Sequence, residues 1–214
     1  MLRAAASQPA HRKGRGRNRR GEGARLRADI LTAATGLLDQ GGERALTLRA
    51  VAREAGVTAP SIYLHFPGRP AILLAVVHEA FAELARRIEA AVTGADARQR
   101  LYAAGHAYLD FAAAHPRRYH AMFGFACRPI DLDALVLRIF ARALTDSAAA
   151  GHSTSTNPRA DTVALWLGLH GLAHQQTVIR ALPWPAGLMP HLVASLAHLT
   201  PNHTPDQTPR RSTP

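Results

Sequence analysis

Two histidines one helical turn apart, His170 and His174, have the spacing in this 214-residue chain most suited to metal chemistry. On a helix an i, i+4 pair shares a face and can supply two zinc ligands. A zinc hydrolase of that kind also needs a glutamate directly after the first histidine as general base, and Gly171 stands there instead. His115 and His120 add no third ligand at a recognisable spacing, and among twelve histidines chance pairs are expected. Cys127 is the only cysteine, so it can form neither an intramolecular disulfide nor a multi-cysteine metal site. Its neighbours Phe125, Ala126 and Arg128 give no sign of a reactive thiolate, and a buried, inert thiol is expected. There is no glycine-rich phosphate loop and no nucleophile elbow. No catalytic residue, metal or cofactor is assigned, and a helical metal-dependent enzyme built on His170 and His174 is the weakest alternative.

Charge points instead to binding. The formal net charge is +11, but residues 1–27 alone carry nine Lys or Arg against the single acid Glu22. Residues 28–200 are close to neutral, with fifteen basic and thirteen acidic side chains. A basic arm of this kind attracts phosphates without sequence preference and in a salt-dependent way. It serves equally well as a solubilising tail. Forty-seven per cent hydrophobic residues suffice for a core, and no run reaches the ~20 apolar residues that span a bilayer. The basic start lacks the apolar stretch of a signal peptide. A cytoplasmic protein with no membrane association is expected.

The elements that must position any binding surface are helical throughout. Residues 1–23, rich in Arg, Gly and Ala, and residues 201–214, with four prolines, have no periodicity and read as disordered. Between them apolar residues recur at helical spacing, with no alternating strand pattern. The predicted helices are 24–40, 48–55, 59–65, 69–93, 96–114, 117–125, 131–150, 158–181 and 186–199, about nine in all. Gly41-Gly42 ends the first, Thr47 and Thr58 are placed to cap the second and third, and Pro60 is tolerated in a first turn. In the fourth, Ile72, Leu73, Val76, Val77, Ala80, Phe81, Leu84 and Ile88 face inward. The fold class is all-α: a three-helix N-terminal unit over residues 24–69 and a larger helical unit over residues 70–200.

Two short helices joined at Gly56 have the form of a helix-turn-helix. Ala52 is small where the helices cross, Gly56 permits a left-handed turn, and Val57 plugs the pair from inside. Val51, Val57 and Ile62 would share a core with Leu37 and Leu38. Many helical hairpins satisfy that much. The fuller run, Thr47-Leu48, Val51-Ala52, Ala55-Gly56-Val57 and Ser61-Ile62-Tyr63-Leu64-His65-Phe66, with Arg69 and Leu73-Leu74 behind it, resembles the TetR family of repressors. The likeness covers about residues 26–77. Two departures are Leu64, where a polar or basic residue is frequent, and Arg69-Pro70 in place of a Lys-acid pair.

The resemblance implies a DNA-binding transcriptional regulator, a repressor released from a palindromic operator by a small molecule. It makes residues 59–65 the recognition helix in the major groove. Thr58, Ser61, Tyr63 and His65 would then face double-stranded DNA while Ile62 and Phe66 pack inward. Thr58 and Tyr63 would bond phosphates, Ser61 a base edge or a phosphate, and Ala59 or Pro60 a thymine methyl. Thr47 and Arg69 would clamp the backbone from either side. With no Arg, Lys, Asn or Gln on that helix, specificity would lean on apolar contacts, Arg49, the arm and DNA shape. For Tyr63 and His65 the plainer alternatives are a packed aromatic and a capping histidine. An unspecific nucleic-acid binder driven by the arm is the competing function, and it leaves the near-neutral, well-patterned body unexplained.

For the C-terminal half the resemblance implies a homodimer in which the last two long helices of each chain pair. Leu188, Met189, Leu192, Val193, Leu196 and Leu199 supply an apolar face to the last helix, and burial within one subunit would use it too. The segment Leu165-Trp166-Leu167-Gly168-Leu169-His170-Gly171-Leu172-Ala173 resembles the Trp…His-Gly C-terminal domain of one TetR subgroup. A small-molecule inducer would enter a cavity in this half, and its candidate lining is Tyr102, His106, Phe111, Tyr119, Met122, Phe123, Trp166 and His170. Aromatic and Met residues at helical spacing are more often plain core. Trp166 and His170 share a face, which favours an apolar or aromatic inducer.

Overall fold

The computed structural model describes residues 22–94, 96–124, 130–179 and 183–201. Most of the basic arm, the C-terminal tail and Cys127 lie outside the described residues, so the expectations made for them do too. Nine helices occupy the described residues, and none of these residues forms a strand: α1 Glu22–Gly41, α2 Leu48–Glu54, α3 Ala59–Tyr63, α4 Arg69–Ala91, α5 Ala97–Ala114, α6 Pro116–Phe123, α7 Ile130–Ala149, α8 Pro158–Val178 and α9 Leu188–Leu196. The predicted order holds, with several ends shorter, but α1 is longer: it begins at Glu22, within the stretch 1–23 read as disordered, and runs to Gly41. α3 stops at Tyr63, two residues early, and α9 is a compact Leu188–Leu196.

Polar side chains set several of the starts. Thr47 Oγ1 accepts from the Ala50 amide at 3.2 Å, Asp96 from the Arg98 and Gln99 amides, and Asn157 from the Ala160 amide. Thr58 sits at the start of α3 with extended backbone but makes no such bond. Its hydroxyl pairs with that of Ser61 at 2.8 Å, so the expected cap there is replaced by a hydroxyl pair.

One continuous hydrophobic cluster runs from Ile30 on α1 to Ala197 beyond α9. α4 is its axis. Its buried face, Ile72, Leu73, Val76, Val77, Ala80, Phe81, Leu84, Ala85 and Ile88, meets the N-terminal helices at one end and α5 and α7 at the other. Each such side chain, fully withdrawn from water, contributes about 1.5–3 kcal/mol as an upper bound. Polar ties reinforce the join between the two units. Arg118 on α6 is nearly buried and donates to both carboxylate oxygens of Asp39 on α1. It also donates to Glu83 on α4 at 2.7 Å. The neighbouring Arg117 donates to the Asp39 carbonyl at 2.8 Å.

α9 lies close against α5 and α8. A Cβ on Gly168 would fall 2.7 Å from Leu196 Cδ1, so a larger residue there would push that side chain aside, and the glycine lets α9 lie close with Leu196 as it stands. Met189 and Val193 are buried against Gly105 in the same way. The apolar face of α9 is therefore largely spent within the subunit. In the C-terminal half, the large apolar residues left exposed among the described residues lie on α8 and just past it: Val163, Leu167, Val178 and Ile179.

Candidate nucleic-acid interface and effector cleft

The α2–α3 pair is assembled from the inside outward. Val51, Ile62 and Phe66 are buried, and Val57 packs against them from the turn. Gly56 takes φ +65°, a conformation that strains other residues, and lets the Val57 amide return to the Ala52 carbonyl at 2.9 Å. That closure points the remaining side chains of α3 out of the fold. Tyr63 is 57% exposed and Leu64 78%, and Arg49, Thr58 and Pro60 are also exposed. Ser61 and His65 are half-buried, with His65 Cε1 beside Gly23 near the start of α1. Ala59 is half-buried and packs on the core. Arg27 lies over the Phe66 ring, 5.1 Å from its centroid, which sets a cation at the same edge.

Arg69 is placed differently from the other candidates. Its Nε donates to the Leu46 carbonyl and its Nη2 to the Glu43 carbonyl, both at 2.7 Å, with the Glu43 carboxylate 3.9 Å away. The guanidinium is thus a buttress that fixes the start of α4 to the α1–α2 turn. Any phosphate it met would have to share it. Leu64 is the residue that motif reading passed over, having been counted only as a departure. The signal was available: two places after the buried Ile62 on a short helix, it must face outward.

The resulting surface carries hydroxyls, a phenol and exposed apolar groups, with Arg44, Arg49 and Arg53 exposed nearby. Such groups donate hydrogen bonds to anions and contact methyl groups.

In the C-terminal half, Tyr108, Tyr119 and His170 form a tight hydrogen-bonded group. The Tyr119 hydroxyl lies 2.7 Å from His170 Nδ1, and the two phenol oxygens are 3.0 Å apart. Both tyrosines are buried, and His170 is half-buried. Burial first, and then the neighbouring Tyr108, push the Tyr119 phenol far above its ordinary range, so it stays protonated. Trp166 stacks on His170 at 16° and 5.5 Å, and Phe123 lies 4.3 Å from the same imidazole.

Tyr119, Phe123 and His170 line a cleft of about 260 Å³ between α6 and α8, rimmed by His120, Gly171 and His174. The other proposed lining residues do not meet there. Phe111 and Met122 are fully buried core, Tyr102 is half-buried against the core, and His106 is exposed to solvent. The physical reason is that aromatic side chains fill the interior between α5, α6 and α7, leaving a cleft at the α8 edge. His170 and His174 have ring centroids 6.4 Å apart, and among the described residues no group of three ligating side chains could hold a metal ion.

Two family models match this chain. Residues 30–76, from the buried face of α1 into α4, match that of bacterial regulatory proteins of the tetR family. Residues 101–196, α5 to α9, match the tetracyclin repressor-like C-terminal domain. The chain belongs to the TetR family.

Among curated relatives, the uncharacterized HTH-type transcriptional regulator YobS of Bacillus subtilis (strain 168) is 30% identical over 92 residues, 43% of this chain and 48% of that protein. The HTH-type transcriptional activator FasR of Mycolicibacterium smegmatis is 32% identical over 124 residues, 55% of this chain and 56% of its own length. The chain thus spans about half the length of the curated relatives it matches. A solved protein of unknown function from Rhodococcus sp. RHA1 has the same architecture, with TM-score 0.67 and 27% identity over 80% of this chain and 91% of that one.

Proposed function

We propose that this TetR-family chain is a sequence-specific DNA-binding repressor that acts as a homodimer on a palindromic operator. The observation that carries it is the outward face of α3. Thr58, Tyr63 and Leu64 are exposed on a helix-turn-helix whose inward residues Val51, Ile62 and Phe66 are buried. Thr58, Ser61 and Tyr63 bond phosphates or base edges. Ala59, Pro60 and Leu64 contact thymine methyls, and Arg49, Thr47 and His65 complete the footprint. Arg69 acts through position, holding the α1–α2 turn to α4.

Two recognition helices about one DNA turn apart require two chains. The exposed stripe Val163, Leu167, Gly171, His174 and Val178 on α8 has the 4-4-3-4 spacing of a helix-pairing seam. Gly171 at its middle is open enough for close approach. α8 is thus the centre of the dimer, with α9 supporting it from behind. The Trp166–His170 stack supports membership of the Trp…His-Gly subgroup. In this scheme the C-terminal half receives a small-molecule effector whose unequal affinity for two conformations changes the separation of the heads. The protein works in the cytoplasm, and among the described residues no helix is long and apolar enough to cross a membrane.

Footprinting and gel retardation on the DNA flanking its own gene, at rising salt, test the proposal. Protection of a short palindrome that persists at moderate salt is expected. Uniform binding that disappears with salt would instead establish the unspecific, arm-driven binder. Tyr63→Ala should weaken operator binding at least tenfold while helicity and dimer mass stay unchanged. Loss of helicity would return Tyr63 to a packing role. A promoter–reporter strain separates repression from activation, the role printed for FasR.

A further inference from the structure

We propose that the cleft between the end of α4 and α7 binds an amphipathic anion, an apolar chain with a carboxylate or phosphate head, and that Arg138 and Arg142 hold the head. The site shares no lining residue with the α6–α8 cleft. It gives a ligand class to the effector of the reading above, and rests on that reading only for its effect on DNA.

The first argument is where α7 puts its positive charge. Arg138 and Arg142 are the only basic residues between Ile130 and Ala149, and they stand one helical turn apart on the cleft. The other exposed positions Ala134, Thr145 and Ala149 of the same helix are uncharged. Solubility alone would not require both cations to flank one opening. Like charges one turn apart disfavour their helix, and an anion between them removes that penalty. Among the described residues no hydrogen bond or ion pair engages either guanidinium. Asp146, four places beyond Arg142, is its nearest helical partner, but Arg100 of α5 takes that carboxylate at 3.0 Å. Arg100 also donates to the Gly94 carbonyl at 3.0 Å, so it braces one end of the cleft.

The second argument is the apolar lining. Val92 after α4, with Leu135 and Ile139 on α7, is half-buried, and Ala143 is buried. The same cleft thus offers uncovered apolar surface beside two unpaired cations, and an amphipathic anion satisfies both at once. Its volume, about 540 Å³, lies within the ~300–1,000 Å³ of small-molecule sites. Charge across the cleft sets the orientation. Glu89 lines the α4 side, where the carbonyl end of that helix adds partial negative charge. Both repel an anion, so the head goes to the α7 rim and the chain lies towards α4. Because α4 also carries the N-terminal helices on its apolar face, an occupant against its end has a route to the DNA-reading head.

Isothermal titration of the full chain with decanoate and with decyl phosphate, below micelle-forming concentrations, tests the proposal and tells the two heads apart. Acetate (head without chain) and decyltrimethylammonium (chain with the opposite charge) are the controls. Saturable binding of at least one of the two anions, one per chain and at least tenfold tighter than either control, is expected. The double variant Arg138→Gln, Arg142→Gln should weaken it at least tenfold, and Glu89→Gln should tighten it severalfold. All three side chains are exposed, and each variant is first checked for wild-type helicity. Absence of saturable binding by both anions, equal binding of decyltrimethylammonium, or a folded double variant that binds like wild type would overturn the proposal. If the anion binds through the two arginines yet leaves operator affinity unchanged, the site stands and the effector role fails. Failure to retard any operator, with anion binding intact, sinks only the repressor reading.

Discussion

Replacing Arg118 by Met should lower stability by about 2–3 kcal/mol, and the figure follows from its three carboxylate bonds. Two go to Asp39 and one to Glu83, from a guanidinium that is only 10% exposed. Fully buried, each charge-assisted bond would contribute about 1.5–3 kcal/mol, and stripping one partner from a buried pair costs about 3–5 kcal/mol in total. The acids here are not fully buried: their side chains are 31% and 28% exposed, so water partly replaces the arginine. That lowers the expected loss to about 2–3 kcal/mol, or roughly 5–10 °C in Tm for a chain of this size. Met retains much of the apolar stem, so the loss reports the charge. Urea and thermal unfolding at one fixed protein concentration measure it, because self-association would otherwise shift the apparent stability. A double-mutant cycle with Asp39→Asn should show a coupling of about 1–2 kcal/mol. A loss within ~0.5 kcal/mol, or additive single effects, would mean the group behaves as an ordinary surface pair, and the reasoning would be refuted.

Other expectations are independent of that one. Deleting residues 1–21 removes seven Lys or Arg and no acid. If each meets a phosphate, the salt slope of operator binding should fall by up to ~6 with the protected sequence unchanged, whereas an equal slope would make the arm a bystander. Leu167→Glu puts a carboxylate into the exposed α8 stripe. Light scattering should then report a monomer, and a persistent dimer would place the seam elsewhere. His115 is held below its ordinary value of 6.5, first by burial and then by Arg118 on α6, with Arg87 on α4 acting the same way and Glu83 and Asp39 opposing. The folded state therefore favours the neutral ring, which pairs with Arg87 at 3.1 Å. This contribution is complete above about pH 6.5 and is lost as pH falls through the depressed folded value. The stability advantage of wild type over His115→Gln should shrink between pH 7 and pH 5, and an advantage that stayed flat or grew would exclude the assignment.

Local patterns in the sequence carried the helices and the head. The Thr47 cap, the Gly56 turn and the inward set of α4 each depend on residues a few places apart, where spacing alone dictates geometry. What escaped notice depends on distant partners. Arg118 and Asp39 are 79 positions apart, and nothing local to either residue announces the pairing. Arg69 matched a DNA-contact position by motif, yet two carbonyls of the α1–α2 turn, more than twenty residues away, engage it. The apolar face of α9 was legible, but which neighbour covers it was not, because Gly105 and Gly168 meet that helix only once α5 and α8 are in place. His106 lies beside Gly105 on α5, and only the packing of that helix shows that its ring faces water.

α4 has a consequence for anyone who would cut this protein apart. Its first turns complete the head and its last turns lie in the body, within one unbroken apolar cluster. Ending the chain near residue 69 would leave Ile30, Leu38 and Ile62 without the wall supplied by Ile72, Leu73 and Val76. Such a fragment should be a poor folder, and the intact chain should melt in one cooperative step. Hybrid regulators that borrow this DNA-reading head would do best to take α4 whole, with the graft point after Ala91.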